Sequence, residues 1–227
     1  MPVGRLYDVV TFDCYGTLID WETSIGGWFQ SRAAFEGVAL SRPDALAAYA
    51  EIEQVVEAAA YRSYRQVLVE TALRVGRRFG WRLTAREAAS LVESLADWRP
   101  FPDTNPALER LSAAGYRLGI LSNVDDDLLA DTMRHFRVRF EVLVTAQQVR
   151  SYKPAFGHFQ TARQRIGAAP WLHAAQSHFH DVVPARALGI PVAWVNRKGL
   201  TASTDVRPDI EVRTLAGLAD HLEAMSA

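Results

Sequence analysis

Two kinds of hydrophobic pattern alternate along this chain. The run Val9-Val10-Thr11, leading into Phe12, has no polar alternation. Such a β-branched run reads as a strand buried on both faces, and strands of that kind belong to parallel sheets covered by helices. Four more strand-like runs follow at Arg117–Leu121, Glu141–Val144, Leu172–Ser177 and Pro191–Val195. Helical segments separate them: one near Pro106 to Ala114 that ends at Gly115, one after Asp125-Asp126-Asp127, one after Lys153-Pro154, and one from Asp181 to about Gly189. A terminal helix begins near Thr214. Strand and helix in regular alternation predict an α/β fold with a doubly wound parallel sheet.

The alternation is interrupted once. From Asp20 to about Trp98 the pattern is helical and rich in alanine, so this stretch is expected to be an all-helical insertion into a core formed by residues 1–19 and 99–227. Ser41-Arg42-Pro43-Asp44 has the form of a helix start with proline just inside it. A second helix is expected from about Tyr61 to Phe79, because Leu68, Ala72, Val75 and Phe79 make one apolar stripe, with Arg65 on the same face. Gly80 should end it, and Thr84 with Glu87 reads as a capping box opening another to about Asp97. The proline-rich Arg99-Pro100-Phe101-Pro102-Asp103 then marks a crossing between domains.

Composition narrows the function. Lysine and arginine number 25 against 26 aspartates and glutamates, so the balance favours neither nucleic acid nor an anionic membrane as partner. Cys14 is the only cysteine, which excludes an internal disulfide and fits a reducing compartment. Met1–Tyr7 is too short and polar for a signal peptide, and no apolar run approaches the ~18–20 residues that span a bilayer. A cytoplasmic protein is expected.

Four polar groups fall at the carboxyl ends of strands, the edge where open α/β sheets bind ligands: Asp13, Ser122-Asn123, Lys153 and Asp181. Asp13 opens Asp13-Cys14-Tyr15-Gly16-Thr17-Leu18, where Gly16 allows a sharp turn. The set resembles the haloacid dehalogenase superfamily. Its first motif is Asp, any residue, Asp or Tyr, Gly, Thr; its second is a Ser or Thr, its third a Lys, its fourth one or two acids. The insertion matches that family's cap domain.

The resemblance implies that Asp13 is a nucleophile forming an ester with substrate, which water then hydrolyses. Lys153 would keep Asp13 ionised and help hold substrate. Thr17, Ser122, Asn123 and the backbone amides at Cys14 and Tyr15 would bind the anionic group, and Asp181 would position Lys153 or the hydrolytic water. The Cys14 side chain itself should point to the opposite face and pack. Taken alone, Lys153 reads equally as a surface lysine and Asp181 as a helix cap.

Tyr15 is the informative position. Phosphatases of the superfamily have a second Asp there to protonate the leaving group. A departing halide needs no proton, and Asp-x-Tyr-Gly-Thr resembles the L-2-haloacid dehalogenase branch, which acts on short 2-haloalkanoates. A lone Asp181, flanked by His178 and His180, also lacks the acid pair that holds Mg²⁺, so neither metal nor cofactor is expected. The His-x-His spacing lacks a third zinc ligand of fitting spacing. The acidic run Asp125-Asp126-Asp127 is accounted for by a helix N-terminus.

Departures from that branch are specific. His178 stands where the branch has Asn and is expected to face substrate or water; Phe159 stands where it has Tyr; and Leu46 falls where it has a halide-binding Arg. Arg65, or failing that Arg62, is the candidate replacement, with an exposed helix arginine as the equal alternative. Trp21, Trp28, Trp81 and Trp98 are candidates for an apolar cleft, or for ordinary core. The resemblance also makes a homodimer reasonable. Two rival readings stay open, an Mg²⁺-dependent phosphatase and a binding protein of the same fold that has lost the reaction.

Overall fold

In the computed structural model, which describes residues 5–202 and 204–225, Val9–Phe12 (β1) lies within a six-stranded sheet. Part of the Met1–Tyr7 stretch therefore lies outside the described residues. The other strands are Arg117–Ser122 (β2), Val142–Thr145 (β3), Trp171–Ala175 (β4), Val192–Val195 (β5) and Ile210–Val212 (β6). Their order is β3-β2-β1-β4-β5-β6, every pairing is parallel, and Phe12 sits between Ile120 and Ala174. The order reverses at β1, so the topological switch point of the sheet falls at the end of the first strand. All four β1 residues are buried. Val10 and Phe12 pack into one apolar cluster and Val9 into another on the opposite face, as period-two alternation requires.

Between Asp20 and Trp98 lie four α-helices, Trp21–Phe35 (α1), Arg42–Glu57 (α2), Tyr64–Arg78 (α3) and Ala85–Ser94 (α4). The expected starts are present at Ser41, whose hydroxyl accepts from Asp44 N, and at the Thr84–Glu87 capping box. The middle helix begins later than Tyr61, because Ser63 and Gln66 form a second capping box that the apolar stripe does not reveal. Gly80, at φ +75°, follows α3 in a backbone conformation that costs other residues strain. The chain enters and leaves this helical region through paired segments, with Ile19 bridged to Pro100 and Asp20 N donating to Arg99 O at 2.9 Å.

The remaining helices are Thr104–Ala113 (α5), Asp126–Met133 (α6), Ala146–Val149 (α7), Gly157–Ile166 (α8), Val183–Ala187 (α9) and Leu215–Ala224 (α10). The fourth strand stops two residues short of Ser177, because the Ser177 hydroxyl accepts from His180 N and opens a wide helical turn over His178–Val182. Asp181 lies inside that turn and α9 begins only at Val183. No helix among the described residues is long and apolar enough to cross a membrane.

Candidate active site

The ends of β1, β2 and β4 converge with the segment before α8 on a cleft of about 340 Å³ roofed by α1, α2 and the start of α3. Asp13 continues the sheet, its N–H donating to Ala174 O. Beyond it the backbone turns at Gly16, φ +96°, where an added Cβ would lie 3.1 Å from the Trp21 indole nitrogen. That turn brings Thr17 back, so its hydroxyl donates to Asp13 Oδ2 at 2.8 Å and accepts from Gln176 N.

Lys153 is 1% exposed and its ammonium is fully engaged. It donates to Asp13 Oδ1 at 2.9 Å, Asp181 Oδ1 at 2.6 Å and Leu121 O at 2.9 Å. A buried lysine survives charged only with such partners, and the two carboxylates hold it above its ordinary value against the opposing effect of burial. Burial raises the Asp13 carboxyl; the Lys153 charge opposes this and the Asp181 charge adds to it. Asp181, more closely held by Lys153 and by His173, is lowered despite its own burial.

Asn123 sets the position of the lysine. Its side-chain oxygen accepts from Lys153 N at 2.7 Å and its amide donates to Lys153 O at 3.2 Å, so it clamps that backbone rather than standing free for substrate. Ser122 is the opposite case: it lines the cleft and its Oγ is buried with no protein partner. Asp181 Oδ2 is likewise buried and unpartnered.

His173 is a positioning residue that the sequence reading missed. Its Nε2 lies 3.1 Å from Asp181 Oδ1 and its Nδ1 lies 2.9 Å from the Thr11 hydroxyl, which accepts from the Trp171 indole. With the Thr11 proton assigned to Nδ1, Nε2 carries the proton given to Asp181. The signal was a single imidazole inside an otherwise apolar strand. Phe159, in place of a tyrosine, packs edge-on against that imidazole.

Tyr15 faces the cleft, but its phenol is engaged. Thr132 donates its own proton to Leu128 O, so Tyr15 donates to Thr132, at 2.8 Å. Burial pushes the phenol well above its ordinary value, and it offers no acid to a leaving group. The Cys14 side chain is packed in the core, as expected.

Several sequence-predicted residues lie elsewhere. His178 is turned away from the cleft, with Nε2 3.0 Å from Val206 O and its ring against Trp194. The wide turn presents His180 to the cleft instead, its Nδ1 3.1 Å from the Ser177 hydroxyl. Burial keeps this imidazole below its ordinary value and therefore neutral. Arg65 is outside the cleft, 46% exposed and paired with Asp127 at 2.6 Å; Arg62 lies with it in a separate surface hollow. Their displacement follows from Asp125, whose carboxylate accepts from Tyr64 N and Arg65 N and so caps α3 from the core. The acidic run thus ties the helical region down, a wider role than serving its own helix. Leu46 packs with the core cluster, and of the four tryptophans Trp21 and Trp98 line the cleft while Trp28 and Trp81 do not.

The roof contains acids that the sequence reading also missed. Glu53 and Glu57 line the cleft from α2, four residues apart. They continue the spacing of buried Ala45 and Tyr49, a stripe that should be apolar in a helix serving only to pack.

The haloacid dehalogenase-like hydrolase family model matches residues 7–171. The chain is 29% identical over 224 residues to the (S)-2-haloacid dehalogenase of Pseudomonas sp. (strain YL), covering 94% of each chain. Its fold superposes on a defluorinating L-2-haloacid dehalogenase with a TM-score of 0.79 at 25% identity, covering 96% of this chain and 95% of the other. The Xanthobacter autotrophicus L-2-haloacid dehalogenase, solved with chloropropionic acid covalently bound, shares the fold at TM-score 0.80 and 20% identity, with 96% and 99% covered. The match over most of the chain, joined to the parallel sheet with its acid at the switch point, places this chain in the haloacid dehalogenase-like hydrolase family.

Proposed function

We propose that this hydrolase cleaves the carbon–halogen bond of a short 2-haloalkanoate through an aspartyl ester. The observation that carries the reading is Tyr15: its hydroxyl is committed to Thr132, so the position that would protonate an alkoxide leaving group supplies no proton. Asp13 Oδ attacks C2 in line, the new C–O bond forms as the C–halogen bond breaks, and the halide leaves with the bonding pair. The substrate carboxylate rests on Ser122 Oγ and the amides after Asp13, while Lys153 fixes the nucleophile. Water then attacks the ester carbonyl of Asp13. Asp181 Oδ2 orients that water, and neutral His180, in the same cleft lining, takes its proton. The ester C–O bond at Asp13 breaks, the expelled alkoxide takes the proton from His180 and departs as the 2-hydroxy acid, and the second proton of the water is released from the regenerated Asp13 carboxyl, balancing the halide.

The phosphatase alternative requires Mg²⁺ between the first and last motifs. Here the Lys153 ammonium bridges Asp13 and Asp181. That ammonium takes Oδ1 of both acids, and Tyr15 stands where a phosphatase has its acid, so we favour the metal-independent reading. We also place the enzyme in the cytoplasm, on its single buried cysteine. The homodimer implied by resemblance is tested by light scattering.

Halide release from chloroacetate and from each enantiomer of 2-chloropropionate, with and without chelator, tests the reaction. Release that survives chelator and disappears in Asp13→Asn supports it. Chelator-sensitive turnover of a phosphate ester, with no halide from any haloacid, defeats it.

A further inference from the structure

The cleft described above contains one cation and four carboxylates. Among the described residues Lys153 is the only lysine or arginine in its lining, and all three of its protons are held by Asp13, Asp181 and Leu121 O. Nothing positive remains for the roof. Glu53 Oε1 accepts from the hydroxyls of Tyr49 at 2.5 Å and Tyr64 at 2.9 Å, and Glu57 meets only the Asn123 amide at 3.4 Å. These donors are all neutral. Burial raises both carboxyls, Glu57 well above its ordinary value, so the empty roof leans toward its neutral form, and a cation brought by the ligand is what would hold the pair charged.

The surroundings of the pair indicate what that charge is. Trp21, Tyr49, Tyr64 and Trp98 share the cleft lining, with Trp21 and Tyr49 rings 5.6 Å apart. Aromatic faces beside carboxylates are the environment that receives an ammonium, through the ring quadrupole and direct ion pairing together. Ser122 belongs to the same lining and has a buried Oγ without a protein partner, and Asn123 beside it in the chain reaches Glu57. An acceptor pair and an unpartnered hydroxyl within one lining describe a ligand with unlike ends.

We propose that the substrate is a 2-haloalkanoate bearing an ammonium group on its far carbon, with its carboxylate on Ser122 and its ammonium between Glu53, Glu57 and the roof aromatics. This rests on the dehalogenase reading, and the chemistry at C2 is unchanged by it. The roof is held for that task from the core: Asp125 fixes the first turn of α3, and α3 in turn presents the Tyr64 hydroxyl to Glu53.

Binding and turnover separate the two ideas. In the full chain, calorimetry compares the halogen-free ligands 4-aminobutanoate and butanoate. The expected result is about tenfold tighter binding of 4-aminobutanoate, with the ratio falling toward one in Glu57→Gln and in Glu53→Gln. Equal or tighter binding of butanoate, or binding of neither, overturns the inference, and this needs only the wild-type chain. Halide release from 4-amino-2-chlorobutanoate and 2-chlorobutanoate is then measured against enzyme-free blanks. A kcat/KM about tenfold higher for the amino compound supports the inference. Parity, or preference for 2-chlorobutanoate, overturns it and leaves the dehalogenase reading standing. No halide from either compound defeats both as stated, and the binding ratio then tells a missing reaction from a missing ammonium site.

Discussion

The floor of the cleft is made of strand ends and its roof of a helix side, and the two hold charge in opposite ways. On the floor, Asp13 and Asp181 share the Lys153 ammonium, so the buried charges are paired. On the roof, Glu53 and Glu57 have only phenols and an amide as partners. A paired floor is suited to hold a nucleophile in one place; an unpaired roof awaits its partner from the ligand. Disturbing the floor should therefore lower kcat, and disturbing the roof should act on KM and selectivity.

The largest expected effect comes from Lys153→Met. It leaves two buried carboxylates facing one another, so halide release should be lost and the fold weakened by about 3–5 kcal/mol in urea denaturation. A variant that still turns over would break the assignment of the floor. Next comes pH. Because burial raises Asp13, protonation removes the nucleophile at a pH above the ordinary aspartate value of about 3.9, and kcat/KM should fall as pH drops through that point. Glu57→Gln should leave this acid limb in place, since burial, Lys153 and Asp181 are what shift Asp13. A limb that vanishes in that variant would mean that the roof, not the floor, carries the titration.

The same contrast explains what could be read before the structure. Asp13, Lys153 and Asp181 were legible because a parallel sheet delivers every strand end to one edge, so order along the chain predicts convergence in space. The helical insertion offers no such rule. Its stripes mark which faces are buried without saying what they cover, and hence Arg65 was favoured while Glu53 and Glu57 went unnoticed. His180 takes the place expected of His178 for a similar reason, since the wide turn over His178–Val182 has a period that neither strand nor ordinary helix predicts. β6 escaped because three residues with one buried side chain make too short a pattern.

The join between the two regions should give an intermediate effect. Asp125→Ala removes the acceptor for the Tyr64 and Arg65 amides at 2.9 and 3.0 Å. By analogy with a lost helix cap the cost is about 1–2 kcal/mol. Because Tyr64 also holds Glu53, KM should rise more than kcat falls. Equal loss in both would show that the roof contributes to the chemical step and not only to binding.

The smallest effect is expected at Arg65, and it sharpens the comparison most. Its guanidinium meets Asp127 with both side chains largely exposed, at 46% and 63%. Such a pair contributes at most about 1 kcal/mol, because water and salt screen it. If the floor and the acid roof together account for binding, Arg65→Ala leaves kcat and KM for 2-chloropropionate unchanged. A rise in KM for the plain haloacid, absent for its amino counterpart, would instead assign Arg65 to the substrate anion and supply the cation that the roof lacks.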